Sequence, residues 1–216
     1  MTEARRAEQA LRALLDTAHI WRHGTHPAPF KHRVLASGYA PLDAALRGGW
    51  QTHAITEILH DGHGLGELRL LLPALAQISQ AGGRVLLVSP PCIPYAPAWA
   101  AAGVALSRLL IAHAGGERLW AAEQALRSGH CAAVLLWPGN SDLRPLRRLQ
   151  LAAEAGASWG VVFRPLAAAS QPSPATTRLR VSGDQLHVLK VRGARPGARL
   201  PMPPCSGSRS GFPNSH

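Results

Sequence analysis

No run of about 18 uninterrupted apolar residues occurs in the chain, which argues against a helix that spans a membrane. The N-terminal stretch MTEARRAEQALRALLDTAHIWRHG lacks the apolar core and small-residue cleavage site of a secretory signal, so none is expected. Cysteine is scarce. Cys92, Cys131 and Cys205 are far apart and odd in number, which fits neither a disulfide framework nor a zinc pattern. A reducing, cytoplasmic setting is the expectation. Acidic residues are also scarce, and unevenly so. Residues 1–143 hold 12 Lys+Arg against 10 Asp+Glu, whereas residues 144–216 hold 11 against 2. A net charge of +11 concentrated in the last third suggests an anionic partner there, although surface arginine also serves solubility alone.

What is present suits one globular domain, because 216 residues at 46% hydrophobic can bury a sizeable core. Leu11, Leu14, Leu15 and Ala18 recur at helical spacing and predict an amphipathic helix over 3–19, with Trp21–His32 as linker. A short helix is expected around Leu42–Leu46, ended by Gly48 and Gly49, and then a strand over 53–59. Leu68–Gln80 reads as a helix if Pro73 falls in its first turn.

Buried strands and helices then alternate. Strands are expected at Val85–Val88, Leu109–His113, 131–140 and 159–165. Helices are expected at Ala96–Ala102, within 116–129 (Leu119, Ala122, Leu126 and Trp120 inward) and over 143–156. TRLRVSG and QLHVLKVRG form a closing hairpin through Gly183-Asp184. Strands alternating with helices predict an α/β fold built on a mainly parallel twisted sheet flanked by helices. The domain is placed at 33–195, and 196–216, rich in Pro, Gly and Ser, is expected to be a disordered tail.

Residues 58–75, ILHDGHGLGELRLLLPAL, run from a strand through a glycine turn into a helix. A Walker A loop, G-x-x-x-x-G-K-[ST], wraps phosphates in backbone N–H groups and meets their charge with lysine. Aligned on Gly66, with Gly62 and Gly64 inside the turn, the first glycine position holds Asp61. Glu67 stands at the lysine position and Leu68 at the hydroxyl position. A carboxylate there repels a γ-phosphate. The strand at Ala133–Leu136 ends in Trp137-Pro138 without a magnesium-binding acid, and Val85–Val88 ends in Ser89-Pro90-Pro91-Cys92 without a water-activating one. No catalytic residue, nucleotide or other cofactor is therefore expected, and ATPase activity is not. His60 and His63 flank Asp61, but three ligands in a glycine turn make a weak metal site, and no metal is expected.

Arg144, Arg147 and Arg148 share a helical face, and Lys190, Arg192 and Arg195 close the last strand. These six are the candidate contacts to a partner or to nucleic acid, the alternative being a solvated surface. Trp137, at a strand end where ligands bind in open α/β sheets, is the tryptophan of most interest.

The order of these pieces resembles the core of the RecA recombinase. Leu42, Asp43, Ala45, Leu46, Gly48 and Gly49 precede a strand carrying Glu57 and Ile58, then the glycine turn. YAPAWAAAGVALSRLLIA and EQALRSGHCAAVLLW are similar to the segments that follow in RecA, and LKVRG to its basic strand-end motif. Within that superfamily the degenerate loop and the closing LKVRG resemble the ImuA family, often grouped with the cell-division inhibitor SulA. The resemblance implies a RecA-like P-loop core with degenerate Walker motifs. It further implies an accessory factor of SOS-induced translesion DNA synthesis, partnered by RecA, an ImuB-type inactive Y-family polymerase homologue and an error-prone DNA polymerase at the nucleoid. The alternative it carries is an SOS inhibitor of the tubulin-like division protein. Pro138–Asp142 and Leu166–Pro174, where RecA has its DNA-binding loops, are short, which argues against a recombinase filament.

Overall fold

The structure, a computed structural model, describes residues 33–62, 66–138 and 143–203. The expected helix over 3–19 and its linker lie outside these residues. Ten strands and five α-helices are described: β1 (Val34–Leu35), α1 (Ala40–Ala45), β2 (Trp50–Gln51), β3 (Ile55–His60), α2 (Leu72–Gln80), β4 (Val85–Val88), α3 (Ala96–Ala101), β5 (Leu109–Ala112), α4 (Arg118–Ser128), β6 (Ala133–Leu136), α5 (Leu143–Ala155), β7 (Trp159–Pro165), β8 (Thr177–Ser182), β9 (Gln185–Val191) and β10 (Arg199–Pro201).

The main sheet has the order β10-β9-β8-β3-β7-β6-β4-β5. From β8 to β5 every pairing is parallel, and β9 and β10 add antiparallel strands at one edge. Parallel strands are covered on both faces, which is why β3 and β6 are buried at every position and β6 reads as a continuous apolar run. One face packs Leu42, Leu46, Trp50, Leu71, Leu75 and Ile78 from α1, β2 and α2 onto Ile58, Leu135, Val161 and Phe163. The other packs Ala122, Leu126, Leu146, Leu149 and Ala152 from α4 and α5 onto Ile55, Val134 and Val162. The mixed α/β fold with a mostly parallel sheet between helices agrees with the expectation.

The Gly48-Gly49 pair has a steric cause. Gly49 has φ +134°, and a Cβ there would lie 2.1 Å from the Leu35 carbonyl oxygen, so only glycine lets β1 and β2 pair this closely. Pro73 falls at the start of α2, after a 3-10 turn over Glu67–Leu70, where its missing N–H costs nothing.

Two expectations are corrected. Residues 199–201, placed in the disordered tail, form β10 against β9, and the following Met202 is buried with its N–H donating to the Asp184 carbonyl. The apolar side chains of Ala198, Leu200 and Met202 and a free strand edge outweigh the Pro/Gly composition of that stretch. Trp120, grouped with the inward residues of α4, is 57% exposed, because Ala122 and Leu126 set the buried stripe of that helix.

Candidate functional site

β3, β4, β6 and β7 are mutually parallel, so their C-terminal ends share one edge of the sheet, the edge at which open α/β sheets bind ligands. A cavity of about 550 Å³ opens there, lined by His60, Asp61, Ser89, Arg118, Trp137 and Phe163 among others. Its wall is aromatic. Trp137 stacks on Phe163 with centroids 4.6 Å apart and planes 8° from parallel, and His60 meets Phe163 edge-on at 6.3 Å. The His60 Nδ1–H donates to the Gly62 carbonyl, which ties the ring to the turn that follows β3. The Ser89 hydroxyl accepts the Ala114 N–H at 3.2 Å, and Arg118 Nε donates to the Gly115 carbonyl at 2.9 Å. One guanidinium and one carboxylate on an apolar wall can hold a flat or apolar group.

Gly66 adopts φ +87° and leads into the 3-10 turn that begins at Glu67. The Glu67 side chain is 4% exposed. Gly64 and His63 lie outside the described residues, and among the described residues no group of three His, Cys, Asp or Glu is placed to hold a metal.

A charge cluster missed by sequence reading lies beneath the same edge. Glu57 on β3 is buried and accepts from Arg164 Nη1 on β7 at 2.7 Å and from Arg178 Nε on β8 at 2.6 Å. The Arg164 and Arg178 side chains are 0% and 9% exposed. Further donors of both arginines go to the segment between β7 and β8. Arg164 Nη2 donates to Gln171 Oε1 at 2.6 Å, and Arg178 donates to the carbonyls of Ala168 and Gln171 at 3.0 and 3.1 Å. Lys190 Nζ adds a bond to the Ser173 carbonyl at 2.9 Å. Residues 166–173 are thus bolted to the sheet by three cations. Burial, and then the neighbouring Arg178 guanidinium, lower the Lys190 pKa below the ordinary lysine value, against the pull of Glu57. The sequence signal was an arginine inside each of two apolar strands, since a buried charge needs a partner.

The six basic candidates do not form one surface. α5 begins on the side where β6 ends, whereas β9 runs antiparallel to β8 and finishes beside the start of β3. Arg144, Arg147 and Arg148 therefore sit toward one edge of the sheet, and Lys190, Arg192 and Arg195 at the other. Arg148 is engaged within the fold. Its Nη2 lies 2.6 Å from Glu123 Oε2 on α4, and Arg127 holds the other oxygen at 2.8 Å. Lys190 is engaged as described. Arg144, Arg147, Arg192 and Arg195 are exposed, and Arg192 and Glu154 line a second cavity at the N-terminal edge of β3.

No protein-family model matches the chain, and no curated protein matches it. Among solved structures it is similar to the crystal structure of SulA from Pseudomonas aeruginosa, at 24% identity over 51% of this chain and 97% of that one, with a TM-score of 0.42. Among the described residues no helix is long and apolar enough to cross a membrane.

Proposed function

We propose that the chain is a non-catalytic, RecA-like accessory factor of the ImuA type, acting in SOS-induced translesion DNA synthesis. Its partners in this reading are RecA, an inactive Y-family polymerase homologue and an error-prone polymerase at damaged DNA. The observation that carries it is the strand-end edge. In this reading β3, the glycine-rich sequence after it and α2 take the order of a P-loop, but Glu67 is buried at the lysine position. β6 and β4 run on into Trp137-Pro138 and Ser89-Pro90, so in this reading neither strand end offers an acid to magnesium or to an attacking water. The Walker motifs are degenerate in this reading, and the core serves as a docking body rather than an ATPase. The short segment over 166–173, pinned by Arg164, Arg178 and Lys190, supports docking over strand exchange, which needs loops free to wrap DNA.

The test is a tagged pull-down from DNA-damaged cells, with nuclease treatment before mass spectrometry. RecA and the inactive polymerase homologue are the expected eluates. Recovery of the tubulin-like division protein in their place would move the assignment to a SulA-like inhibitor of cell division.

A further inference from the structure

β8, β9 and β10 place Arg180, His187 and Arg199 directly beside one another. Arg180 pairs in register with His187, and His187 with Arg199. The alternation of these strands puts all three on one face. Leu179, Val181, Leu186, Val188 and Leu200 point the other way, into or against the core beneath α1 and α2. Helices α4 and α5 cover the same face only farther along the sheet, over β3, β6 and β7. Arg180 and His187 are half-buried, Arg199 is exposed, and the three line a cavity of about 270 Å³ with Ser182 and Gln185.

Among the described residues no acid answers this charge. Among the described residues Arg180, His187 and Arg199 make no ion pair, and the nearby Asp184, in the β8–β9 turn, makes none either. Two guanidiniums thus flank an imidazole across about 10 Å of sheet. Neutral donors from Ser182 and Gln185 beside two guanidiniums are the set that receives phosphoryl oxygens. No Phe, Tyr or Trp lines the cavity, so the wide rings that usually stack on bases are absent from it.

We propose that this face of β8–β10 is a binding site for the phosphodiester backbone of nucleic acid, separate from the strand-end cavity and from the basic residues of α5. The assignment does not rest on the accessory-factor reading. Partner recovery in a nuclease-treated pull-down can succeed or fail without it.

The test is fluorescence anisotropy of the full chain with a labelled DNA duplex across a salt titration. Arg180→Gln/Arg199→Gln is compared with Arg33→Gln/Arg108→Gln, which removes the same charge from exposed positions elsewhere. The first variant is expected to bind about ten-fold more weakly near 0.1 M salt, with a log K against log salt slope shallower by about 1.8. The second is expected to keep the wild-type slope to within the long-range effect of two charges. Its unfolding midpoint, like that of the first, should not fall, since neither pair of arginines is tied into the core. Equal weakening in both variants would reduce the effect to diffuse charge and overturn the site. So would displacement of the duplex by polyglutamate at equal charge concentration, which would make the ligand an acidic protein. Protection of the wild type by inorganic phosphate without any duplex binding would overturn the nucleic-acid source.

Discussion

Glu57→Gln removes one negative charge from between two guanidiniums that the fold keeps dry. The wild-type carboxylate gives one oxygen to Arg164 at 2.7 Å and the other to Arg178 at 2.6 Å, and the Glu57 and Arg164 side chains are 1% and 0% exposed. Glutamine keeps the shape but turns an NH₂ group toward one of the arginines. Breaking a buried pair by deleting one partner costs about 3–5 kcal/mol, because the remaining charge is neither solvated nor paired. Two cations lose their shared anion here, so the upper part of that range applies. With an m-value of about 2.5 kcal/mol/M in urea, the midpoint falls by about 1–2 M. The same change loosens residues 166–173, whose carbonyls are held by Arg178, so limited proteolysis should cut there sooner than in the wild type. Arg178→Gln leaves the Glu57–Arg164 pair intact and should cost less, about 1.5–3 kcal/mol. A loss below about 1 kcal/mol for Glu57→Gln, without faster cleavage over 166–173, would refute the claim that this cluster bolts the segment down.

Other outcomes follow from individual residues. Gly49→Ala sets a Cβ against the Leu35 carbonyl at a φ of +134° and should lower stability by at least about 2 kcal/mol in chemical unfolding. Burial raises the Cys131 thiol pKa above its ordinary value, whereas Cys92 is exposed. Native protein should therefore be alkylated at Cys92 and resist at Cys131, read by peptide mass spectrometry. The native state holds the Cys131 proton to higher pH than the unfolded chain. The stability this contributes is complete below the unfolded thiol pKa of about 8.5 and declines as pH rises past it. Cys131→Ala should flatten that part of the pH profile in urea titrations.

Much of the fold was legible because parallel strands buried on both faces leave short continuous apolar runs. Val85–Val88 and Trp159–Pro165 form strands at the expected bounds, and Pro73 falls in the first turn of its helix. β10 was not legible, because its three residues sit among prolines and glycines and only a few apolar side chains, Ala198, Leu200 and Met202, anchor the stretch. The Glu57–Arg164–Arg178 cluster was out of reach for a different reason. Its members are more than 100 residues apart from Glu57 in sequence, and only the order β8-β3-β7 brings them together. The charge-rich last third was visible as composition, but the strand directions that send α5 and the end of β9 to opposite edges were not. Trp137 was singled out by its place after a parallel strand, and it does line the strand-end cavity. That its ring stacks on Phe163 depends on the β6–β7 register, which the local pattern does not carry.

The central claim is that the strand-end edge has kept the frame of a nucleotide site and lost its chemistry. The most direct test is calorimetric titration of wild type and Glu67→Lys with magnesium and ATP to about 1 mM, the upper end of ordinary substrate affinities, followed by a phosphate-release assay. The account predicts no saturable binding by the wild type. It predicts no turnover by either protein, because restoring lysine does not restore an acid after β6 or β4. Saturable ATP binding by the wild type, or magnesium-dependent phosphate release by Glu67→Lys, would contradict it.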